Sequence, residues 1–340
     1  MSGKLRAVLA GCGGMGQGWL KTVKASPDVE LAGVVDLRPE AVEKAVKDFG
    51  LTPDQGGSDL KTLLKKLTPD LVVDVTVPAA HKDVTLAALA AGCHVLGEKP
   101  LADTMANAKK MVAAAKKAKK VYMVSQNRRW NPPVRAIRKA VSGGLLGTLT
   151  TVNCDFYLGA HFGGFRDEMD HPLLLDMSIH HFDMMRCMTL TDPKAVYCHE
   201  FNPKGSWYKG DVAATAVFEM SGGVVFTYRG SWCAEGLFTS WEGAWRFVGE
   251  RGTILWDGNT PPVAEVVTGT GGFHVPKEKR DVPAADDGPS GLEGSLRRFL
   301  EAIRAGKQPE SWCGDNIKSL AMVFGAVQSA GKKARRKIEV

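Results

Sequence analysis

The feature that most narrows what this chain can fold into is Gly11-Cys12-Gly13-Gly14-Met15-Gly16, a G-x-G-x-x-G that follows the short apolar run "LRAVLA" and leads into the helical pattern "QGWLKTVKAS". In that position the first glycine makes a tight turn, the second lets backbone approach a pyrophosphate, and the third permits close packing of the helix, so that phosphates rest on a helix N-terminus. Asp36 stands 20 residues after Gly16, at the end of "VELAGVVD". A carboxylate there accepts hydrogen bonds from an adenosine ribose. The glycines alone are weak evidence; strand, turn, helix, strand and acid in register predict a dinucleotide site. Asp36 would repel a 2′-phosphate, which favours NAD over NADP, and Arg38 two residues on offsets part of that repulsion.

The pattern continues as alternating strands and helices. "RPEAVEKAVKDFG" is a helix stopped by Gly50, "PDLVVDVTVP" and "HVLGEKP" are strands around the helix "HKDVTLAALAAG", and "VYMVSQN" is a further strand after "ADTMANAKKMVAAAKKAKK". Such alternation implies right-handed βαβ units and a mostly parallel, doubly wound sheet. After about residue 147 the runs become β-rich and alternating, from "GTLTTVNCDFYLG" through "AVYCHEF", "VAATAVFEM" and "GVVFTYRGSW" to "AWRFVGERGTILWDG". That texture predicts a largely antiparallel sheet with one open face. The fold class is α/β: a Rossmann domain over 1–123, then an α+β domain over 124–340 for substrate binding and oligomerisation. The helical segments "GSLRRFLEAIRAGKQPE" and "DNIKSLAMVFGAVQSAGKK" close the chain and can pack back on the first domain. The Gly- and Pro-rich stretch 257–291 reads as a mobile loop.

Composition removes several alternatives. The chain of 340 residues is 44% hydrophobic and 24% charged, ordinary for a globular enzyme. Its net charge of +7 is spread over helical faces such as "KKMVAAAKKAKK", and no basic run carries the interleaved aromatics that stack on bases, so nucleic acid is not an expected partner. Seven cysteines without a C-x-x-C pair or a secretory leader argue for reduced thiols and a cytoplasmic location. No stretch is long and apolar enough to predict a membrane span.

The polar residues of "LLLDMSIHHFDMMRCM" (173–188) interrupt an otherwise apolar segment. On an α-helix Asp176, His180 and Asp183 fall within about 60° of one another, while His181 points elsewhere. A face carrying unpaired carboxylates should meet water, partner charges or a ligand. Asp176 and His180 also have the i, i+4 spacing of zinc ligands, but no third ligand is motif-placed, and no metal is expected. Lys99 in "GEKP" ends a strand on the ligand-binding side of a parallel sheet and, preceding a proline, is held extended.

These motifs, with "VTVPAAHKDVTLAALAAGCHVLGEKPLA", "SQNRRWNP", "LLLDMSIHHFD" and "WRFVGERGTI", occur in the order found in the glucose-fructose oxidoreductase, inositol dehydrogenase and MocA superfamily, which the chain resembles over nearly its whole length. The resemblance implies a Rossmann domain and a second domain whose open sheet mediates a homodimer or homotetramer. It implies Lys99, Asp176 and His180 as the catalytic group. Cofactor contacts are implied for Gly11, Gly13, Gly14, Met15, Gly16, Asp36, Arg38, Thr76, Pro78, His81, Glu98, Lys99 and Gln126, and substrate contacts for Lys99, Arg128, His161, Asp176 and His180. Further polar residues suited to the cleft are Asn131, Arg135, His171, Asp183 and Trp207.

The expected activity is hydride transfer between nicotinamide C4 and a carbon of a sugar, cyclitol or related polyol. A neutral imidazole at His180 exchanges the hydroxyl proton, and the Lys99 ammonium stabilises the same oxygen. Two other readings of the same motifs are an NAD-dependent glycoside hydrolase or lyase working by transient oxidation and a non-catalytic nucleotide-bound sensor; retention of Lys99 with His180 argues against the sensor. Relatives carry small residues around the Asp, whereas "HPLLLDMSIH" is bulky, which makes the shape of the pocket particular to this chain.

Overall fold

The computed structural model describes residues 3–285 and 288–340. The chain divides into two compact units, one comprising residues through Asn127 together with Gly288–Leu320, the other running from Arg128 to the segment before Gly288 and resuming over Ala321–Val340.

In the first unit, β1 (Leu5–Ala10), α1 (Gly14–Ala25), β2 (Val29–Val35), α2 (Pro39–Phe49), β3 (Gly56–Gly57), α3 (Leu60–Leu67), β4 (Leu71–Asp74), α4 (Pro78–Ala90), β5 (His94–Glu98), α5 (Met105–Ala118) and β6 (Tyr122–Ser125) alternate along the chain. The six strands form one parallel sheet in the order β3-β2-β1-β4-β5-β6. Chain order reverses between β1 and β4, the point where the carboxyl ends of an open parallel sheet leave a crevice. Helix ends follow local chemistry. Gly50 caps α2 in the left-handed conformation (φ 67°), and the Thr104 side chain accepts from Asn107 N at the start of α5.

The second unit contains α6 (Pro132–Ser142), β7 (Leu149–Tyr157), α7 (Ser178–Thr189), β8 (Pro193–Phe201), β9 (Ala213–Met220), β10 (Val225–Ser231), β11 (Ala244–Gly249), β12 (Gly252–Trp256), β13 (Val263–Val267) and β14 (Lys277–Asp281). The chain then continues through α8 (Gly291–Ala305), α9 (Cys313–Lys332) and β15 (Arg336–Lys337). Nine strands make one sheet in the order β14-β13-β12-β11-β7-β10-β9-β8-β15. Its pairs are antiparallel except β7 with β10. Period-two burial is clear in β9, whose alternate residues Ala214, Ala216, Phe218 and Met220 point into the core. That core also takes in α7, with Phe182 edge-on to Phe218 and Tyr228. The opposite face exposes Tyr197, Val217, Val225, Leu255 and Val263.

The stretch expected to be a loop, 257–291, is loop only in part: it also supplies β13 and β14, which pair antiparallel at the sheet edge. Val263 to Val267 alternate exposed and buried positions, and pairing with β12 on one side and β14 on the other makes this β-branched run a strand despite the flanking glycines and prolines. Residues 286 and 287 of that stretch lie outside the described residues.

One contact in the first sheet makes stability pH-dependent. Val121 N donates to His94 Nδ1 at 3.0 Å, which requires a neutral ring. Burial, helped by nearby Lys120, pushes the His94 imidazole down to about 4. Since the folded value lies below the ordinary value of about 6.5, the contribution is present above pH 6.5 and is lost as pH falls toward 4. Unfolding in urea measured across this window should show stability declining on acidification, with a shallower slope in His94→Gln; equal slopes would contradict the assignment.

Candidate active site

The glycine motif forms the turn between β1 and α1. Gly11 has φ 100°, and a Cβ there would lie 2.5 Å from Val75 O. At Gly16 a Cβ would stand 2.0 Å from Gly11 O, so the helix packs directly on the turn. Gly14, by contrast, faces open space, and Met15 beside it is exposed. The first turn of α1 has no side-chain cap and no acidic residue, leaving its N–H groups for an anion. Across the turn, Asp36 Oδ2 accepts from Cys12 N at 2.8 Å and Oδ1 from Arg38 N at 3.0 Å, with the Arg38 guanidinium also on the carboxylate. Burial would raise the Asp36 carboxyl, but the Arg38 and Cys12 hydrogen bonds outweigh it and hold it below the ordinary range. These residues fit a dinucleotide: open space at Gly14, only the Arg38 guanidinium near Gly13, and an ionised carboxylate where a ribose diol would sit.

The carboxyl ends of β4 and β5 carry a second set of groups. Buried Asp74 accepts from Thr76 Oγ1 at 2.6 Å and Thr76 N at 3.1 Å, and its other oxygen lies 3.0 Å from His81 Nδ1. His81 sits in the first turn and a half of α4, which opens with Pro78. Burial opposes a charge on His81, yet the Asp74 carboxylate prevails and lifts its pKa above the ordinary imidazole value. Glu98, ending β5, receives Trp19 Nε1 at 2.7 Å and Lys99 N at 3.1 Å. Burial raises its carboxyl, against the pull of Trp19, Lys99 and His81. Lys99 follows, half-buried, joined to Pro100 by a cis peptide. Gln126, after β6, is buried, with Nε2 lacking a hydrogen-bond partner among the described residues.

In the second unit Asp176 and His180 are both half-buried at the start of the helical segment. Leu173–Met177 is a π-helical turn, with Ser178 N donating to Leu173 O five residues back, before α7 begins. The simple α-helical wheel therefore applies only from Ser178 onward, and the wide turn re-aims Asp176 relative to His180. Arg166 Nε donates to Asp176 Oδ2 at 2.6 Å, and its guanidinium lies over the rings of Phe162 and Phe165. His161 is exposed, stacked on Trp207 and 2.8 Å from Glu235. Arg128 is largely buried and donates to Trp241 O and, at 3.2 Å, to Glu242. His171 lies 2.7 Å from Glu200.

The structure corrects one expectation outright. Asp183 does not continue an open face with Asp176 and His180: it is 1% exposed and takes Arg129 in two hydrogen bonds of 2.6 and 2.7 Å. A carboxylate inside the core has to be charge-paired, and Arg129 does this. His181 is fully buried, 4.7 Å from the Phe156 ring, and burial keeps its pKa far below the ordinary value.

Models of two domains match the chain: "Oxidoreductase family, NAD-binding Rossmann fold" over residues 5–126 and "GFO/IDH/MocA C-terminal domain" over residues 134–255, together well over half its length. The chain belongs to the Gfo/Idh/MocA oxidoreductase family. Among similar Gfo/Idh/MocA proteins, 1,5-anhydro-D-fructose reductase of Ensifer adhaerens is 28% identical over 82% of this chain and 84% of its own. Inositol 2-dehydrogenase of Rhizobium meliloti is 24% identical over 97% and 98%. An oxidoreductase of Agrobacterium radiobacter, solved with NAD+, L-tartaric acid and magnesium, shares the fold with a TM-score of 0.85 at 21% identity, covering 98% of both chains.

Within this Gfo/Idh/MocA chain several partners had no sequence signal: Asp74 for His81, Trp19 for Glu98, Arg166 for Asp176 and Arg129 for Asp183. Each follows from three-dimensional pairing of a buried or half-buried charge. Asp183→Ala should cost about 3–5 kcal/mol, because it removes the carboxylate that takes two hydrogen bonds from the buried Arg129 cation. Urea unfolding measures this; a loss under about 1 kcal/mol would show that the pair is not essential.

Proposed function

We propose that this protein is an NAD-dependent oxidoreductase acting on a hydroxyl-bearing or keto carbon of a sugar, cyclitol or related polyol. The observation that carries the reading is that this Gfo/Idh/MocA chain has Lys99 beside Glu98 at the carboxyl end of β5, and has half-buried Asp176 in the π turn and half-buried His180 in the first turn of α7. The sugar reductase and inositol dehydrogenase among its relatives support the substrate class.

The dinucleotide supplies the hydride donor or acceptor. His180 takes the hydroxyl proton in oxidation and returns it in reduction. Lys99 donates a hydrogen bond to the reacting oxygen and stabilises its developing charge. Asp176, held by Arg166, binds a neighbouring substrate hydroxyl and fixes the approach to His180. Arg128 and His161 are further contacts for the substrate's polar groups. Lys99→Ala and His180→Ala should each lower turnover at least about a hundredfold while leaving NAD affinity nearly unchanged. A screen of polyols and ketosugars, followed through reduced nicotinamide absorbance, provides the assay; undiminished turnover in both variants would refute the roles.

The cofactor preference rests on Asp36 and Arg38. As the carboxylate at the end of β2, Asp36 favours a free ribose diol, whereas Arg38 beside it could receive a 2′-phosphate. Asp36→Ala should weaken NAD binding roughly tenfold and narrow the gap to NADP, and Arg38→Ala should weaken NADP more than NAD. Fluorescence titration with both dinucleotides tests this, and unaltered NAD affinity in Asp36→Ala would count against it.

Two features of the setting accompany this reading. All seven cysteines are free thiols, which suits the reducing cytoplasm, and no helix of the described residues is long and apolar enough to cross a membrane. The apolar residues on the open face of the nine-stranded sheet suit a homodimer or homotetramer formed through that face.

A further inference from the structure

Glu200 occupies an inward position of β8, in line with Val196 and Cys198, where the strand's alternation would ordinarily place an apolar residue. Its side chain is 1% exposed. One carboxylate oxygen, Oε2, lies 2.7 Å from His171 Nδ1, while the other, Oε1, is buried with no hydrogen-bond partner among the described residues. A buried carboxylate with one oxygen unsatisfied is costly, and such a position is retained where something else meets that charge. Asp211, half-buried just before β9, completes the set: one ligand atom from each of His171, Glu200 and Asp211 lies within 4.8 Å of the others.

We propose that His171, Glu200 and Asp211 form a zinc site. An imidazole nitrogen and two carboxylate oxygens are ligand types that zinc takes at about 2.0–2.2 Å, with water able to fill the remaining position. Tetrahedral ligands at that distance stand about 3.4 Å apart, so the set closes on an ion with side-chain shifts on the order of 1 Å. Binding replaces the proton shared between His171 and Glu200, which passes to solvent, and brings two carboxylates together around a dication. The three residues come from separate segments: the loop before the π turn, the end of β8, and the loop entering β9. That loop is already set by backbone, since Asp211 N donates to Asp170 O at 2.9 Å and a Cβ on Gly210 would stand 2.3 Å from the same carbonyl. His171 in turn precedes Asp176 by five residues, and Leu175 N donates to His171 O at 3.0 Å. The ion is thus a clip on the segment that leads into the proposed catalytic helix, separate from the hydride chemistry.

The test uses the full chain stripped with EDTA and titrated with zinc chloride alone in a calorimeter, with thermal unfolding in parallel. One equivalent per chain should bind at about micromolar affinity or tighter and raise the unfolding temperature. Magnesium should bind far more weakly, because it demands octahedral oxygen ligands. Glu200→Gln and Asp211→Asn should each weaken zinc at least about tenfold and abolish the thermal shift. Should Glu200→Gln fail to fold, as judged by circular dichroism, the half-buried Asp211→Asn decides alone. Absence of saturable zinc binding, or binding equally tight in the folded variants, overturns the site.

Discussion

The second unit depends on how its central helix keeps charge inside a hydrophobic core. Between Ser178 and Thr189, α7 is buried at every position but His180, so any ionisable group it carries must be paired or neutral. The Arg129–Asp183 pair does the first and His181 the second. Desolvation of two ions is repaid only when geometry is good and the hydrogen bonds are filled. The two short bonds between Arg129 and Asp183 meet that condition, and they tie the turn before α6 to α7. With the helix fixed along its length, its first turn and the π turn before it are the part able to present polar groups outward.

The first unit solves the same problem at the ends of its strands. Asp74 is completely buried, yet it is charge-compensated locally by Thr76 and His81, all within seven residues. Glu98 is met by Trp19 across the sheet and by the amide of Lys99. Both carboxylates terminate adjacent parallel strands, where backbone amides and helix N-termini gather positive potential. Thr76, His81 and Glu98, three of the expected cofactor contacts, are therefore already tied down by neighbouring groups, which reduces the ordering that binding would have to impose.

Much of this architecture was legible in the sequence, because it is local. Strand and helix periodicity located the parallel sheet, the glycine turn and its acid came in register, and alternation after residue 147 announced the largely antiparallel sheet. The failures share a different cause. Val263–Val267 and Lys277–Asp281 are short strands among turn residues, and only pairing with each other and β12 makes them strands. The π turn adds a residue that no α-helical wheel includes. Arg129 and Asp183 lie 54 positions apart, and His171 and Glu200 lie 29 apart, so composition could not pair them. At the site, residue types were legible, while their partners were set by folding.

His180 and His181 show why residue type alone underdetermines role. They are chemically identical and adjacent, and one step along a helix rotates a side chain by about 100°. That rotation puts His181 among Phe156, Tyr228 and Trp245, where burial and the nearby Arg128 cation keep it neutral. It can then serve only as a shaped, hydrogen-bonding part of the core, with Trp241 O at 3.3 Å. His180 alone of α7 retains access to the outside, a requirement for any group that must exchange a proton with a substrate. Exposure set by helical phase, more than intrinsic basicity, separates an acid–base candidate from a packing residue, and the bulky Leu173 and Leu174 help fix that phase by being fully buried just ahead of it.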